Sequence, residues 1–178
     1  MNLWNSYLRP VAVLLAICAA VGGGLSGINA LTAPAIAANE EASRNATYFA
    51  ALPEADSFTE LECSIDGVTA VLRADNGTGF VITAQARGYG GQVPAAVAFS
   101  PDGTIQAVIM MSNDETPGLG QKVTGEDFSG QFAGQTAEQI PFDGIDAVSG
   151  ATISSKAALA AVNLAIEAFQ QVTGGAAE

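Results

Sequence analysis

The chain has 178 residues, two of them cysteine and none of them histidine, and its formal net charge is −12. This length suits one sizeable domain with an appendage. The negative charge argues against nucleic acid as a partner, because phosphate backbones are bound by basic surfaces. Without histidine a Ser-His-Asp triad is excluded, and with only two cysteines a zinc site is disfavoured; we predict no metal site.

A long apolar run lies near the N-terminus. Residues 11–30, VAVLLAICAAVGGGLSGINA, contain no charged side chain, and apolar character continues beyond them. Such a run is long enough to cross the hydrocarbon core of a bilayer. We predict a transmembrane anchor at 10–37. The alternative is a cleaved signal peptide, since Ala35-Ile36-Ala37 has the small-x-small form of a cleavage site; either interpretation exports the rest of the chain.

The charges that flank this run indicate its orientation. Arg9 precedes it, and Glu40 and Glu41 follow it. The positive-inside rule then predicts that residues 1–9 are cytoplasmic and that the remainder of the chain is extracytoplasmic.

The next segment has a helical pattern that ends before Pro53, so we predict a stalk helix and linker at 38–57. Beyond it, short apolar runs are separated by turn sequences such as Asp66-Gly67 and Asn76-Gly77. This arrangement predicts an antiparallel meander within a domain that spans 58–178. The predicted strands are 58–65, 68–74, 79–86, 93–99 and 104–111.

Two loops carry unusual sequences. The glycines of Gly88-Tyr89-Gly90-Gly91 permit positive φ or the close approach of a ligand. Asn113–Lys122 contains a Thr-Pro-Gly turn and then Leu119 between two glycines. From the residues alone, this second loop is either an ordinary connection or a surface that lays Leu119 against a flat ligand.

The segment 146–156, DAVSGATISSK, places small hydroxyl residues, a glycine and a lysine at the start of a helix. We predict that this helix opens at Ser154 or Ser155 and reaches about Val172, with an apolar core face. One interpretation is that the hydroxyls only cap the N-terminus of the helix. Alternatively, the unpaired N–H groups and the dipole of the helix start bind a phosphate. The residues that mark the core face are Leu159, Val162, Ile166 and Phe169.

Taken together, these motifs resemble the FMN-binding subunits of bacterial redox-driven ion pumps. The closest resemblance is to the G subunits of Rnf-type ferredoxin:NAD oxidoreductase complexes, and the next is to the C subunits of the sodium-translocating NADH:quinone reductase. The resemblance covers nearly the whole chain. It rests on the anchor with its Leu31–Pro34 exit, the Gly88–Gly91 loop, the Glu115–Gly120 stretch and the Asp146–Thr152 motif.

The resemblance implies an attachment site for a cofactor. In that family a flavin transferase joins the FMN phosphate to the threonine of the Ser-Gly-Ala-Thr motif, which here is Thr152. Lys156 then lies one helical turn away, where it approaches the phosphate. The other expected cofactor-binding residues around Thr152 are Ser149, Gly150, Ala151 and Ser155.

The same resemblance implies contacts with the flavin ring, which in the family lies against the Glu-Thr-Pro-Gly-Leu-Gly segment. The expected contacts here are Glu115, Thr116, Gly118 and Leu119. The implied fold is α+β, an antiparallel sheet flanked by helices and carried on one transmembrane helix. The implied function is electron transfer inside an ion-translocating complex of the bacterial cell membrane, with other subunits and membrane lipid as partners and no catalytic residue of its own.

Two other functions are open from the residues alone. One is an anchored extracytoplasmic module that binds a ligand or partner without redox activity. The other is a hydrolase with Ser149 or Thr152 as nucleophile, which the missing histidine and the missing G-x-S-x-G motif disfavour.

Overall fold

The computed structural model describes residues 9–174, so the predicted cytoplasmic segment lies outside the described residues except for Arg9. The chain divides into two compact units after Asn45. Helix α1, Arg9–Ala51, is continuous through the predicted boundary between anchor and stalk, and the domain bounds stay a prediction. An 18-residue stretch of α1 has a mean hydropathy of 2.2 and none of it is buried, so its length and composition are those of a membrane span.

The second unit is built on a five-stranded antiparallel sheet in which each strand pairs with the next along the chain. The longest pairing joins the third and fourth strands and runs from Phe80 opposite Phe99 to Arg87 opposite Gln92. The order is the meander that the turn sequences predict. The strands are β1 (Phe58–Leu61), β2 (Val68–Ala74), β3 (Phe80–Arg87), β4 (Gln92–Phe99) and β5 (Ile105–Met110).

Two α-helices follow the sheet in the described part of the chain. The first, α2, is a single turn at Glu126–Ser129 that buries Phe128. The second, α3, runs from Thr152 to Gly174 and therefore begins two residues before Ser154, where the sequence predicted its start. The first turn of α3 is closed by a 2.9 Å hydrogen bond from the Ser155 N–H to the Ala151 carbonyl.

Strand β1 also differs from its predicted bounds. It ends at Leu61 and not at residue 65. The Ile65 carbonyl accepts a hydrogen bond from the Val68 N–H, so Ile65 belongs to the turn before β2.

The two faces of the sheet are covered by different helices. Alternate strand residues such as Ile82, Val97 and Val108 join the apolar face of α3 in the larger core. The opposite face, which includes Leu72 and Val81, packs against the last turn of α1 and the residues that follow it. Burial on both faces accounts for the many fully buried β4 residues. The α+β prediction, an antiparallel sheet flanked by helices, is confirmed.

Helix α3 is held by contacts along its length, which fix the position of its first turn. Near its C-terminal end, the Phe169 ring stacks on Phe99 with 4.7 Å between ring centroids. Midway, the Asn163 side-chain amide pairs with the backbone of Ile140, with both hydrogen bonds 2.9 Å long. This second contact holds the chain that leads into the 146–152 motif.

Candidate functional site

A surface depression of about 460 Å³ opens beside the first turn of α3. Its volume lies within the roughly 300–1,000 Å³ that is usual for ligand sites. Three segments that are far apart in the sequence meet there: the loop between β3 and β4, the loop after β5, and the start of α3. The lining residues are Tyr89, Thr116, Leu119, Gly120, Gly150, Ala151, Thr152, Ile153 and Ser154.

Thr152 is the first residue of α3, and its side chain is exposed. Within residues 9–174 its hydroxyl has no hydrogen-bond partner, in contrast to the hydroxyls of Ser154 and Ser155. The first intrahelical hydrogen bond is made by the Ser155 N–H, so the N–H groups before it have no partner inside the helix. An anion attached to Thr152 would therefore lie at the positive end of the α3 dipole.

The loop after β5 meets the Ser149-Gly150 turn at the edge of the depression. Both segments form a four-residue turn, Thr116–Leu119 in the loop and Val148–Ala151 before α3. The Leu119 N–H donates to the Thr116 carbonyl at 3.1 Å, and the Ala151 N–H donates to the Val148 carbonyl at 3.0 Å. The third residue of each turn is a glycine in the region of positive φ that favours glycine, with φ of 73° at Gly118 and 80° at Gly150. A Cβ on Gly150 would also lie 3.3 Å from Leu119 Cδ1.

The two serines after Thr152 are buried and have structural partners. Ser155 is fully buried, and its Oγ accepts a 3.0 Å hydrogen bond from the Val148 N–H. Ser154 is 3% exposed and donates its hydroxyl proton to Glu115 Oε2. Ser155 therefore fixes the loop that precedes α3, whereas Ser154 connects α3 to the loop after β5.

Glu115 lies behind the depression and is only 1% exposed. Its Oε1 accepts a 2.9 Å hydrogen bond from the Gly90 N–H, and its Oε2 accepts the Ser154 hydroxyl. Burial by itself raises the pKa of this carboxyl, but Ser154 and the N–H groups of Gly90, Gly91 and Tyr89 together hold the pKa below its usual value. Glu115 is therefore an ionised carboxylate inside the protein, stabilised by hydrogen bonds in place of water.

Five of the ten residues that the sequence assigned to the site line the depression: Thr116, Leu119, Gly150, Ala151 and Thr152. The other five do not. Ser149 and Gly118 are at the surface in the two turns, Glu115 and Ser155 are buried behind the surface, and Lys156 places its Nζ 5.1 Å from the Phe142 ring centroid.

Four lining residues were not among those predicted: Tyr89, Gly120, Ile153 and Ser154. Tyr89 had a signal in the sequence, because it is a lone aromatic among three glycines, and it is 71% exposed here. Ile153, which is 55% exposed, breaks the inward apolar pattern of α3 at its second residue. Exposed apolar side chains beside a cavity are a usual sign of a binding surface.

Comparisons with known proteins identify the family of the chain. The family model for the FMN-binding domain matches residues 88–167, a range that contains every residue lining the depression. The chain is 30% identical to the G subunit of the proton-translocating ferredoxin:NAD⁺ oxidoreductase complex of Clostridium ljungdahlii, with 96% of each chain covered. The chain belongs to this family of G subunits.

A second relative and a solved structure extend the comparison. The G subunit of the Na⁺-translocating ferredoxin:NAD⁺ oxidoreductase complex of Acetobacterium woodii is 28% identical, with 96% of this chain and 95% of the relative covered. The crystal structure of the C subunit of the Na⁺-translocating NADH-quinone reductase of Parabacteroides distasonis superposes with a TM-score of 0.50 at 21% identity, over 60% of this chain and 61% of that one. This likeness shows the shared fold, and the family that the motifs indicated is confirmed.

Proposed function

We propose that the chain is the FMN-carrying electron-transfer subunit of a membrane-bound, ion-translocating complex of the ferredoxin:NAD oxidoreductase type. The FMN is attached through a phosphoester to Thr152. The observation that carries the proposal is the exposed Thr152 hydroxyl, which has no partner among the described residues. Thr152 lines the depression, and all residues of that lining fall within the range matched by the FMN-binding family model.

The start of α3 suits the phosphate of FMN. A phosphoester on Thr152 Oγ1 places its negative charge beside backbone N–H groups that no intrahelical carbonyl accepts. The buried hydroxyls of Ser154 and Ser155 are already committed to Glu115 and Val148, so Thr152 is the available hydroxyl at the start of α3 that lines the depression.

The apolar lining suits the flavin ring. Tyr89, Leu119 and Ile153 expose 71%, 40% and 55% of their surface around the depression, which a flat aromatic group would cover. FMN supplies the redox chemistry when bound, and the chain supplies position and electrostatics. Leu119 lies close to Gly150, which precedes Thr152 by two residues, so the apolar lining and the attachment residue are neighbours.

The remaining assignments follow from the family and from α1. The apolar part of α1 anchors the chain in the membrane lipid, and the 58–178 domain lies on the extracytoplasmic side, as the flanking charges predict. The partners are the other subunits of the complex and, during maturation, a flavin transferase. The two relatives are named for different ions, proton and Na⁺, so the proposal concerns the electron-transfer step and not the ion.

The test is intact mass spectrometry and in-gel flavin fluorescence of the full chain, produced together with its flavin transferase. We expect a mass gain of one FMN less one water, which Thr152→Ala abolishes and Thr152→Ser retains. Flavin that remains attached in Thr152→Ala would move the site to another hydroxyl, with exposed Ser149 first. A colourless wild-type chain, with the transferase shown to be active, would favour the ligand-binding module without redox activity.

A further inference from the structure

We propose that Glu115 is a positioning residue of the flavin site, one that touches no flavin itself. Its buried carboxylate ties the Gly88–Gly91 loop to the first turn of α3 and places a fixed negative charge behind the depression. This inference rests on the proposed function, and it changes the role that the resemblance implies for Glu115, which was direct contact with the ring.

The first argument is the pair of hydrogen bonds made by the carboxylate. Oε1 accepts from the Gly90 N–H at 2.9 Å, and Oε2 accepts from the Ser154 hydroxyl. Gly90 and Ser154 lie 64 positions apart in the chain. Gly90 directly follows Tyr89, and Ser154 comes two residues after Thr152, so the donors adjoin two residues that line the depression. One side chain therefore sets the distance between two edges of the depression.

The second argument is that the surrounding backbone leaves space for this carboxylate and for little else. A Cβ on Gly88 would lie 2.3 Å from Glu115 Oε1, and a Cβ on Gly120 would lie 3.0 Å from Oε2. Neither glycine has a positive φ, so backbone conformation does not require glycine at these positions. The close approach of Glu115 does, because a side chain there would overlap the carboxylate. Gly88 and Gly120, one in each loop, therefore accommodate Glu115, where the sequence alone suggested the approach of a ligand.

The third argument is electrostatic. Glu115 is buried, yet it accepts enough hydrogen bonds to remain ionised, with its pKa held below the usual range. Gly120 and Ser154, which both lie against it, line the depression, so only one layer of residues separates the carboxylate from the flavin site. A fixed negative charge there opposes the addition of electrons to a bound ring, because each electron adds charge of the same sign.

The test compares Glu115→Gln, Glu115→Ala and the neighbouring exposed Asp114→Asn in the full chain. Asp114→Asn is the matched control, since it removes one negative charge at the adjacent position without touching the buried contacts. Glutamine keeps an acceptor for the Gly90 N–H, and its amide donates to the Ser154 oxygen, so it preserves the connection and removes the charge. Ser154→Ala removes one donor and leaves Glu115 in place, which provides a further variant if Glu115→Ala does not fold.

The first measurement is amide hydrogen exchange in unmodified protein, made without the transferase, so that it does not depend on flavin. We expect exchange at Tyr89, Gly90 and Gly91 to accelerate about tenfold or more in Glu115→Ala, to be largely restored in Glu115→Gln and to stay at the wild-type rate in Asp114→Asn. Wild-type exchange in Glu115→Ala would overturn the positioning role.

The second measurement is the ratio of reduced to oxidised flavin at a fixed applied potential, in protein that carries the flavin. A buried unit charge within roughly 10 Å of a redox group changes such a ratio by about tenfold at an effective dielectric constant of about 20. We expect an increase of that order in Glu115→Gln and a smaller change in Asp114→Asn. An unchanged ratio in Glu115→Gln would overturn the electrostatic role. Failure of the wild-type chain to take up flavin would instead overturn the proposed function, and the exchange result would still stand.

Discussion

Two sets of residues at the depression differ in exposure and in the partners they have. The support layer, Glu115, Ser154 and Ser155, is at most 3% exposed, and each side chain makes a hydrogen bond to another segment. The open layer, Tyr89, Leu119, Thr152 and Ile153, is exposed. The support layer fixes the shape of the site, and the open layer remains available to a ligand.

The contrast shows why residue type is a poor guide within this motif. Ser149, Thr152, Ser154 and Ser155 are four hydroxyls within seven positions. Two of them are buried and bonded, and the other two lie at the surface, of which only Thr152 lines the depression. The proposed attachment residue, Thr152, is thus distinguished by its exposure and its place at the helix start, properties that the folded chain confers.

The largest expected effect is a difference in unfolding free energy between alanine substitutions at two adjacent glycines of the β3–β4 loop. A Cβ on Gly90 would lie 2.0 Å from the Asp114 carbonyl oxygen, whereas a Cβ on Gly91 would lie 3.4 Å from Asp114 Cβ, an ordinary contact. Gly90→Ala must displace backbone next to Glu115, and we expect it to lower the unfolding free energy by about 3 kcal/mol. Gly91→Ala is the control, with an expected change of about 0.5 kcal/mol or less.

Chemical denaturation of both variants measures this difference, and flavin content measured in parallel shows whether the site survives. Equal stability of Gly90→Ala and Gly91→Ala would contradict the packing of this loop against the segment that carries Glu115.

The next effect is a difference in unfolding free energy between alanine substitutions at a serine of the support layer and at a serine on the surface. Ser155→Ala leaves the Val148 N–H without its acceptor, and we expect a loss of about 2 kcal/mol in unfolding free energy. Ser149→Ala removes a surface hydroxyl, and we expect a change within about 0.5 kcal/mol and full flavin attachment. Thermal unfolding and intact mass measure the two quantities, and loss of flavin in Ser149→Ala would move Ser149 into the open layer.

The sequence was a good guide to the fold, and half of the residues it assigned to the site line one depression. Turn dipeptides such as Asp66-Gly67 and Asn76-Gly77 placed the meander, because glycine at positive φ is a local requirement that leaves a local signal. The Thr-Pro-Gly turn left two interpretations of its loop open, and the family resemblance assigned Leu119 to the site; Leu119 lines the depression. The predicted start of α3 is too late, because it was set at the serines that resemble caps, whereas Thr152 and Ile153 already have helical backbone.

The division into two layers lies beyond sequence reasoning. Glu115 and Leu119 belong to one short motif, yet one is buried behind the depression and the other lines it. Glu115 contacts Gly90 and Ser154 only because a hairpin and a helix start meet in space, and those separations of 25 and 39 positions carry no periodic signal. The approach of Lys156 to a phosphate, expected from its spacing of one turn from Thr152, stays a prediction; in the structure its ammonium lies over Phe142.

A smaller effect is expected from pH. The pKa of Glu115 is lower in the folded chain than in the unfolded one, so its stabilising contribution is complete above the unfolded value of about 4.3 and is lost as the pH falls through the lower folded value. The stability advantage of wild type over Glu115→Gln should therefore be constant from neutral pH to about 5 and shrink below about 4. Asp75 and Asp102, whose pKa values are also lowered, are present in both proteins and cancel.

Denaturation midpoints of the two proteins across this pH range measure the difference. An advantage that persists unchanged at the lowest pH would show that the carboxylate charge does not stabilise the support layer.

The smallest effect tests the boundary between the layers at Lys156. Its Nζ lies 5.1 Å from the Phe142 ring centroid and does not line the depression, so Lys156→Ala should remove an exposed cation–π contact worth about 0.5 kcal/mol and leave flavin attachment complete. A double-mutant cycle with Phe142→Leu isolates the pair, because the loss should vanish when the ring is already absent. If Lys156→Ala instead reduced the rate of flavin attachment with no change in stability, the ammonium would act on the phosphate at Thr152, four residues earlier on the same helix face, and Lys156 would belong with the open layer.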